Sequence, residues 1–163
     1  MVKDQKRFLP FHFSRLILSM AGVGFIPPCP GTWASLASLP ILYFMGLIST
    51  DLFIWLPILI ILTIFVGFLS SWYESQLEKH DAPHIVLDEF AGMLTTWLFY
   101  PNTKIIFLLI QFALFRFFDI TKIWPASTID REMRNGWGVI LDDVISGLYA
   151  GFAFLIVQKL IFA

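Results

Sequence analysis

Charge is what this chain has least of. Aspartate, glutamate, lysine and arginine make up 14% of its 163 residues, against about 25% in an average soluble domain. A soluble domain of this length has too much surface for so few charges to cover. Cysteine is nearly absent: Cys29 stands alone, which excludes an internal disulfide framework. The net charge of −1 supplies no basic field, so nothing points to nucleic acid as a partner. There is no internal repeat, no low-complexity tract and no run that alternates cleanly between apolar and polar residues.

Apolar residues fill the space that charge leaves. They make up 58% of the chain, with 18 phenylalanines among them, and the mean hydropathy is +0.77. Such a surface implies lipid as its solvent. Lipid admits only helices and closed barrels, because every backbone polar group must be satisfied internally. Without period-two alternation, the expectation is an all-α integral membrane bundle of about five or six helices. It forms a single domain over residues 1–163, with some helices short or partly re-entrant.

Residues 1–25 carry Lys3, Lys6 and Arg7 and then mix apolar groups with His12, Arg15 and Ser19. This reads as an amphipathic N-terminal segment that is retained rather than cleaved. A breaker cluster runs from Pro27 to Gly31, and an apolar stretch follows over 32–49. Residues 52–70 are the cleanest span. Two further apolar stretches, 85–100 and 104–118, are separated by Pro101-Asn102, and the last covers 137–162. At ~1.5 Å per residue the two middle stretches reach only roughly 22–24 Å, short of the ~30 Å bilayer core. They are expected to tilt little, borrow flanking residues or sit partly inside the bundle. Trp33, Trp97, Trp124 and Trp137 fall near span ends, where interfacial anchors belong. Gly147 and Gly151 form a small-xxx-small pair suited to close helix packing.

Threading these stretches alternately through a bilayer, N-terminus inside, puts nine lysines and arginines inside and two, Lys104 and Lys159, outside. That is the asymmetry of the positive-inside rule. The same threading gathers Asp88, Glu89, Asp119, Asp142 and Asp143 at the cytoplasmic end of the bundle, beside Thr32. Acids at the edge of apolar helices are costly and mark function. Several together repel one another unless a proton or cation intervenes, and Mg²⁺ favours oxygen ligands, water and a substrate phosphate. Adjacent acids diverge by about 100° on a helix. One member of each pair therefore ligates while its neighbour orients a ligand, holds a second ion or activates water. The plainer role for such a pair is helix N-capping. Two pairs plus Asp119 favour metal.

Arg116 and Lys122 flank Asp119 and suit phosphate oxygens, though positive-inside anchoring accounts for some of the nearby bases. Pro30-Gly31-Thr32 opens a helix whose amides suit an anion, a weak signal taken alone. His80 and His84 have an i, i+4 spacing, but Pro83 lies between them and no third soft ligand is near, so zinc is not the reading. Three phosphatase chemistries are excluded. Counting Cys-x5-Arg from Cys29 arrives at Ser35, no Asp-x-Asp-x-Thr/Val motif occurs, and no histidine follows residue 84. A cation- or proton-coupled transporter using the same acids is the competing class. It would need polar residues continuing to the outer face, where the sequence offers almost none.

Four stretches carry a resemblance. They are Pro30-Gly31-Thr32-Trp33-Ala34-Ser35; Val86-Leu87-Asp88-Glu89-Phe90-Ala91-Gly92-Met93; Phe115-Arg116-Phe117-Phe118-Asp119 through Lys122 to Trp124-Pro125, with Asp130-Arg131; and Gly136-Trp137-Gly138 through Asp142-Asp143 to Gly147. In this order and with these gaps the chain resembles the bacterial phosphatidylglycerophosphatase A family over about residues 22–151. His80-Asp81 is similar to the segment that precedes the family's Asp-Glu block. The resemblance implies Mg²⁺-dependent hydrolysis of phosphatidylglycerophosphate to phosphatidylglycerol and phosphate. The protein would be multi-pass in the bacterial inner membrane, its active site facing the cytoplasm and its substrate a phospholipid. The five acids are expected to supply the metal shell and catalysis. Thr32, Arg116, Lys122, Asp130 and Arg131 are expected to hold the substrate phosphate and head group.

Overall fold

The computed structural model describes residues 2–77 and 82–162, with side chains described from Pro10 to Leu77 and from Ala82 to Ile161. These residues form α1 (Val2–Leu18), a 3-10 turn (Val23–Phe25), α2 (Pro30–Ile48), α3 (Leu52–Leu77), α4 (Leu87–Leu98), α5 (Ile105–Thr121), α6 (Ala126–Glu132) and α7 (Gly136–Phe162). No strand occurs among them. The helical class is the expected one. The count exceeds five or six because α6 forms inside a segment whose polarity gave no periodic signal.

Local chemistry sets the helix ends. Proline opens α2, where its missing N–H costs nothing. The Asp51 carboxylate accepts from the Phe53 amide at 2.9 Å and caps α3. Asn135 Oδ1 accepts from the amides of Trp137 and Gly138, at 3.0 and 3.2 Å, and starts α7. The tight turn between α4 and α5 is held from within. Trp97 Nε1 donates to the Asn102 carbonyl at 3.1 Å, while Asn102 Oδ1 accepts from the Lys104 amide at 3.0 Å.

Among the described residues, three helices are long and apolar enough to cross a membrane: Pro30–Ile48, Leu52–Leu77 and Gly136–Ile161. Their outward faces carry large apolar side chains such as Phe53, Ile61, Phe68 and Phe152, more than an aqueous surface tolerates. The chain is built as a membrane protein. α4 is different. Its 12 residues are too short to span, and every residue from Ala91 to Leu98 is buried. A short helix buried along most of its length belongs in a core, and α4 packs against α2, α3, α5 and α7. The short middle segment thus sits inside the bundle.

Trp33 and Trp124 are exposed, as interfacial anchors are. Trp97 is not an anchor: it is fully buried, edge-on to Trp55. Its position near a span end misled because that end is the internal α4–α5 turn. Trp137 is likewise packed inward, over Gly67 of α3.

Glycine sets how closely α4 and α7 approach. A Cβ on Gly147 would run into the Gly92 carbonyl and reach 2.9 Å from Thr95 Cβ, while one on Gly92 would meet the Phe115 ring and the Asp143 carbonyl. Thr96 Oγ1 lies 3.1 and 3.2 Å from the carbonyls of Gly92 and Gly147, so its single proton serves either, and the contact pins the crossing. The small-xxx-small stripe therefore packs on α4, one turn beyond its paired acids. Gly147→Leu is expected to cost about 1–3 kcal/mol by overpacking this crossing, read as a lower thermal midpoint in detergent. An unchanged midpoint would mean that α4 and α7 do not meet there.

Candidate active site

The first residues of α2, α4 and α7 and the last of α5 meet at one end of the bundle. A cleft of about 220 Å³ opens there, lined by Pro30 and Gly31 from α2 and by Asp88, Glu89, Asp119, Lys122, Asp130, Asp142 and Asp143. The start of α4 is fixed in this position by the Val86 amide, which donates to the Leu18 carbonyl of α1 at 2.9 Å. Five acids predicted from three segments are thus gathered in one cavity, and the sixth lining it, Asp130, comes from α6.

The adjacent acids part company. Glu89, Asp119 and Asp143 each bring one carboxylate oxygen into a group whose members lie within 4.8 Å of one another. Behind them, Arg116 Nη1 lies 2.5 Å from Glu89 Oε2 and 3.0 Å from Asp119 Oδ2. One guanidinium nitrogen thus bridges two carboxylates. Ser35 Oγ lies 2.9 Å from Glu89 Oε2 and from the Gly31 carbonyl, so its single proton serves either. The other member of each pair looks elsewhere. Asp142 Oδ2 accepts from Lys122 Nζ at 2.7 Å, and its Oδ1 accepts from the Asp143 amide at 3.1 Å. Asp88 is buried, and its Oδ1 has no hydrogen-bond partner.

Lys122 follows α5 in the left-handed region, with φ of 42°. This kink turns its ammonium back between Asp142 and Asp130, the latter at 2.6 Å. Burial works to lower its pKa, but the hydrogen bonds and charges of Asp130 and Asp142 outweigh it and hold the pKa above the ordinary lysine range. The group is therefore an ammonium throughout the neutral range.

Not every predicted residue arrives at the cleft. Gly31 lines it, whereas Thr32 is half-buried one position on and spends its amide on the Cys29 carbonyl at 3.0 Å. Arg131 is exposed and donates Nε to the Ser127 carbonyl at 3.0 Å within α6. Arg116 is taken up by the carboxylates. His84 lies 2.8 Å from the Tyr73 hydroxyl and stacks on Phe25. His80 and Asp81, and the charged Glu78 and Lys79, lie outside the described residues. Sequence reasoning missed Ser35 as a member of the site. Its one signal was position: Gly31 and Ser35 are i and i+4 and share a helix face.

The donor set fits a hard divalent cation. Six carboxylates line the cleft, while the cationic side chains beside them are Lys122 and, behind, Arg116. Like charges this close are not stable together without added positive charge or protons. All-oxygen donors from three helices suit Mg²⁺ in preference to a metal that selects nitrogen or sulfur.

Residues 16–158 match the model of the family described as Phosphatidylglycerophosphatase A. The chain is 34% identical to the Phosphatidylglycerophosphatase A of Haemophilus influenzae over 139 residues, 84% of this chain and 83% of that one. It is 33% identical to the Escherichia coli protein of the same name over 149 residues, 90% of this chain and 83% of the relative. A Bacteroides thetaiotaomicron relative, provisionally named a phosphatidylinositol-3-phosphatase, is 33% identical over 150 residues, 88% of this chain and 89% of its own. No solved structure matches.

Removing Arg116 leaves two partly buried carboxylates facing each other. Arg116→Gln is expected to cost about 3–5 kcal/mol in EDTA, read as a lower thermal midpoint, with millimolar Mg²⁺ recovering part of the loss. A variant as stable as the parent in EDTA would remove Arg116 from the role of counter-ion.

Proposed function

The chain belongs to the phosphatidylglycerophosphatase A family, and from that premise we propose that it hydrolyses phosphatidylglycerophosphate to phosphatidylglycerol and phosphate in a Mg²⁺-dependent reaction. The observation that carries this reading is the convergence of Glu89, Asp119 and Asp143 within a single cleft at one end of an apolar bundle. A phosphomonoester on a lipid lies at head-group depth, and a cleft at one end of an apolar bundle suits that depth. The excess of lysine and arginine at the same end supports a cytoplasmic orientation in the inner membrane.

Glu89, Asp119 and Asp143 would hold the metal. When bound, the cation supplies positive charge against the phosphate oxygens and acidifies the attacking water. Arg116 and Ser35 hold Glu89 and Asp119 in place and leave their remaining oxygens for the ion. Lys122, already an ammonium between Asp130 and Asp142, exchanges a carboxylate oxygen for a phosphate oxygen as substrate enters. Gly31 at the start of α2 has no side chain to displace the Glu89 carboxylate, which packs against it. Asp88 lines the cleft but stands outside the group of three, and would accept a proton from water as the oxygen–phosphorus bond forms. The phosphorus–oxygen bond to glycerol breaks on the opposite side, and the departing oxygen takes a proton from solvent at the cleft mouth. Asp142 and Asp130 set the position of Lys122, and Thr32 and Arg131, which do not line the cleft, would meet only the head group beyond it.

Phosphate release from phosphatidylglycerophosphate in detergent micelles is expected with Mg²⁺ and not with EDTA. Asp143→Asn should lower kcat by about 100-fold or more, through loss of a charge aimed at the reacting centre, in a protein that still melts cooperatively. Release in metal-free buffer would contradict the metal mechanism. Near-wild-type activity of Asp143→Asn would remove that residue from the site.

A further inference from the structure

We propose that the groove between α2 and α5 holds one acyl chain of the phospholipid whose phosphate occupies the carboxylate cleft. This deepens the lipid-phosphatase reading and rests on it. The groove has a volume of about 310 Å³ and is lined by Leu39, Pro40 and Tyr43 of α2 and by Ile105, Leu108 and Leu109 of α5.

Register ties it to the site. On α2, Gly31, Ser35, Leu39 and Tyr43 follow one another at four-residue steps and share a face. On α5, Asp119, Arg116, Phe112, Leu108 or Leu109, and Ile105 share a face at steps of three or four residues, in reverse. The two stripes begin at the polar contacts, where Ser35 and Arg116 meet Glu89. They continue as apolar walls of the same seam. At ~1.5 Å per residue, Leu39 lies roughly 6 Å and Tyr43 roughly 12 Å below Ser35, and Ile105 lies roughly 16 Å below Arg116. That reach is about half of the ~30 Å hydrocarbon thickness, the depth of one leaflet. A lipid seated with its phosphate among the acids therefore places a chain directly along this seam.

Size alone would select differently. A second apolar groove, about 390 Å³ in volume, is lined by Leu52, Leu56, Leu98 and Phe99 among others. It lies at the start of α3 and the end of α4, the end of the bundle away from Glu89, so a lipid anchored at the acids does not reach it head first. Nor does the α2–α5 groove act by affinity. Lipid tails are as apolar as leucine, so exchanging bilayer for protein contacts gains little. Its effect is orientation: a chain held along the seam fixes the glycerol, and with it the line of the bond to be broken.

The test uses the full-length protein with Mg²⁺ and a phosphonate analogue of phosphatidylglycerophosphate, which is not turned over, bearing a diazirine at mid-chain. Photolabelling is expected on Leu39, Tyr43 or Leu109, displaced by unlabelled phosphatidylglycerophosphate and not by phosphatidylcholine. With Mg²⁺, Leu39→Trp and Leu109→Trp should lower kcat/KM for the diacyl substrate roughly tenfold through misplacement of the lipid. Leu56→Trp, in the other groove, should leave it unchanged. Labelling that concentrates at Leu52 and Leu98, or that phosphatidylcholine displaces equally, would overturn the proposal, as would unchanged kcat/KM in both groove variants. Displaceable labelling of the seam in a protein that releases no phosphate from any lipid would uphold the groove and sink the reaction.

Discussion

Mutual repulsion among carboxylates at the edge of an apolar bundle is the constraint on which this structure turns. Glu89, Asp119 and Asp143 come from three helices, and their oxygens lie within 4.8 Å of one another. Most of their surroundings are protein and lipid, where an unshielded charge is expensive. One arginine nitrogen bridging Glu89 and Asp119 offsets part of that cost. Nothing in the packing requires acids here, and a bundle with leucine in their places would be simpler to assemble. The arrangement makes sense as a receptacle for positive charge that arrives from outside the chain.

The rest of the fold works to keep the receptacle in shape. α4 is enclosed by four other helices, so the turn that carries Asp88 and Glu89 cannot drift. Gly92 and Gly147 let α4 and α7 touch one turn further in, and Thr96 bonds across the contact. Asp143 and Glu89 are thereby held in register by backbone contacts, not by flexible side chains. Supporting groups locked by packing are what a metal site requires of its surroundings. The bilayer supplies the other half of the design. Three long apolar helices suit it, and on the proposed reading it would bring a lipid phosphate to the acids.

Much of this was legible in the sequence, because membrane physics leaves few options. Scarcity of charge gave the solvent, and the solvent gave helices. The positions of Asp88-Glu89, Asp119 and Asp142-Asp143 at the ends of apolar runs gave the convergence before any coordinates. What remained hidden was side-chain direction. Periodicity places Asp142 and Asp143 side by side but does not say that one turns to Lys122 and the other to Glu89. Ser35 was hidden for a similar reason: a serine in an apolar helix ordinarily bonds its own backbone, as this one also does. Trp97 misled because a chain turn inside the bundle has the composition of a membrane interface. Thr32 is expected from its place at the start of α2, whereas it is the glycine before it, packed against Glu89, that lines the cleft.

The central claim is that three acids form a divalent cation site. The most direct check is binding of Mn²⁺, as a paramagnetic stand-in for Mg²⁺, to the purified protein in detergent, followed by electron paramagnetic resonance without substrate. The account predicts saturable binding that Mg²⁺ competes away and that both Glu89→Gln and Asp143→Asn abolish. Binding that survives both substitutions, or its absence from a folded parent protein, would contradict it.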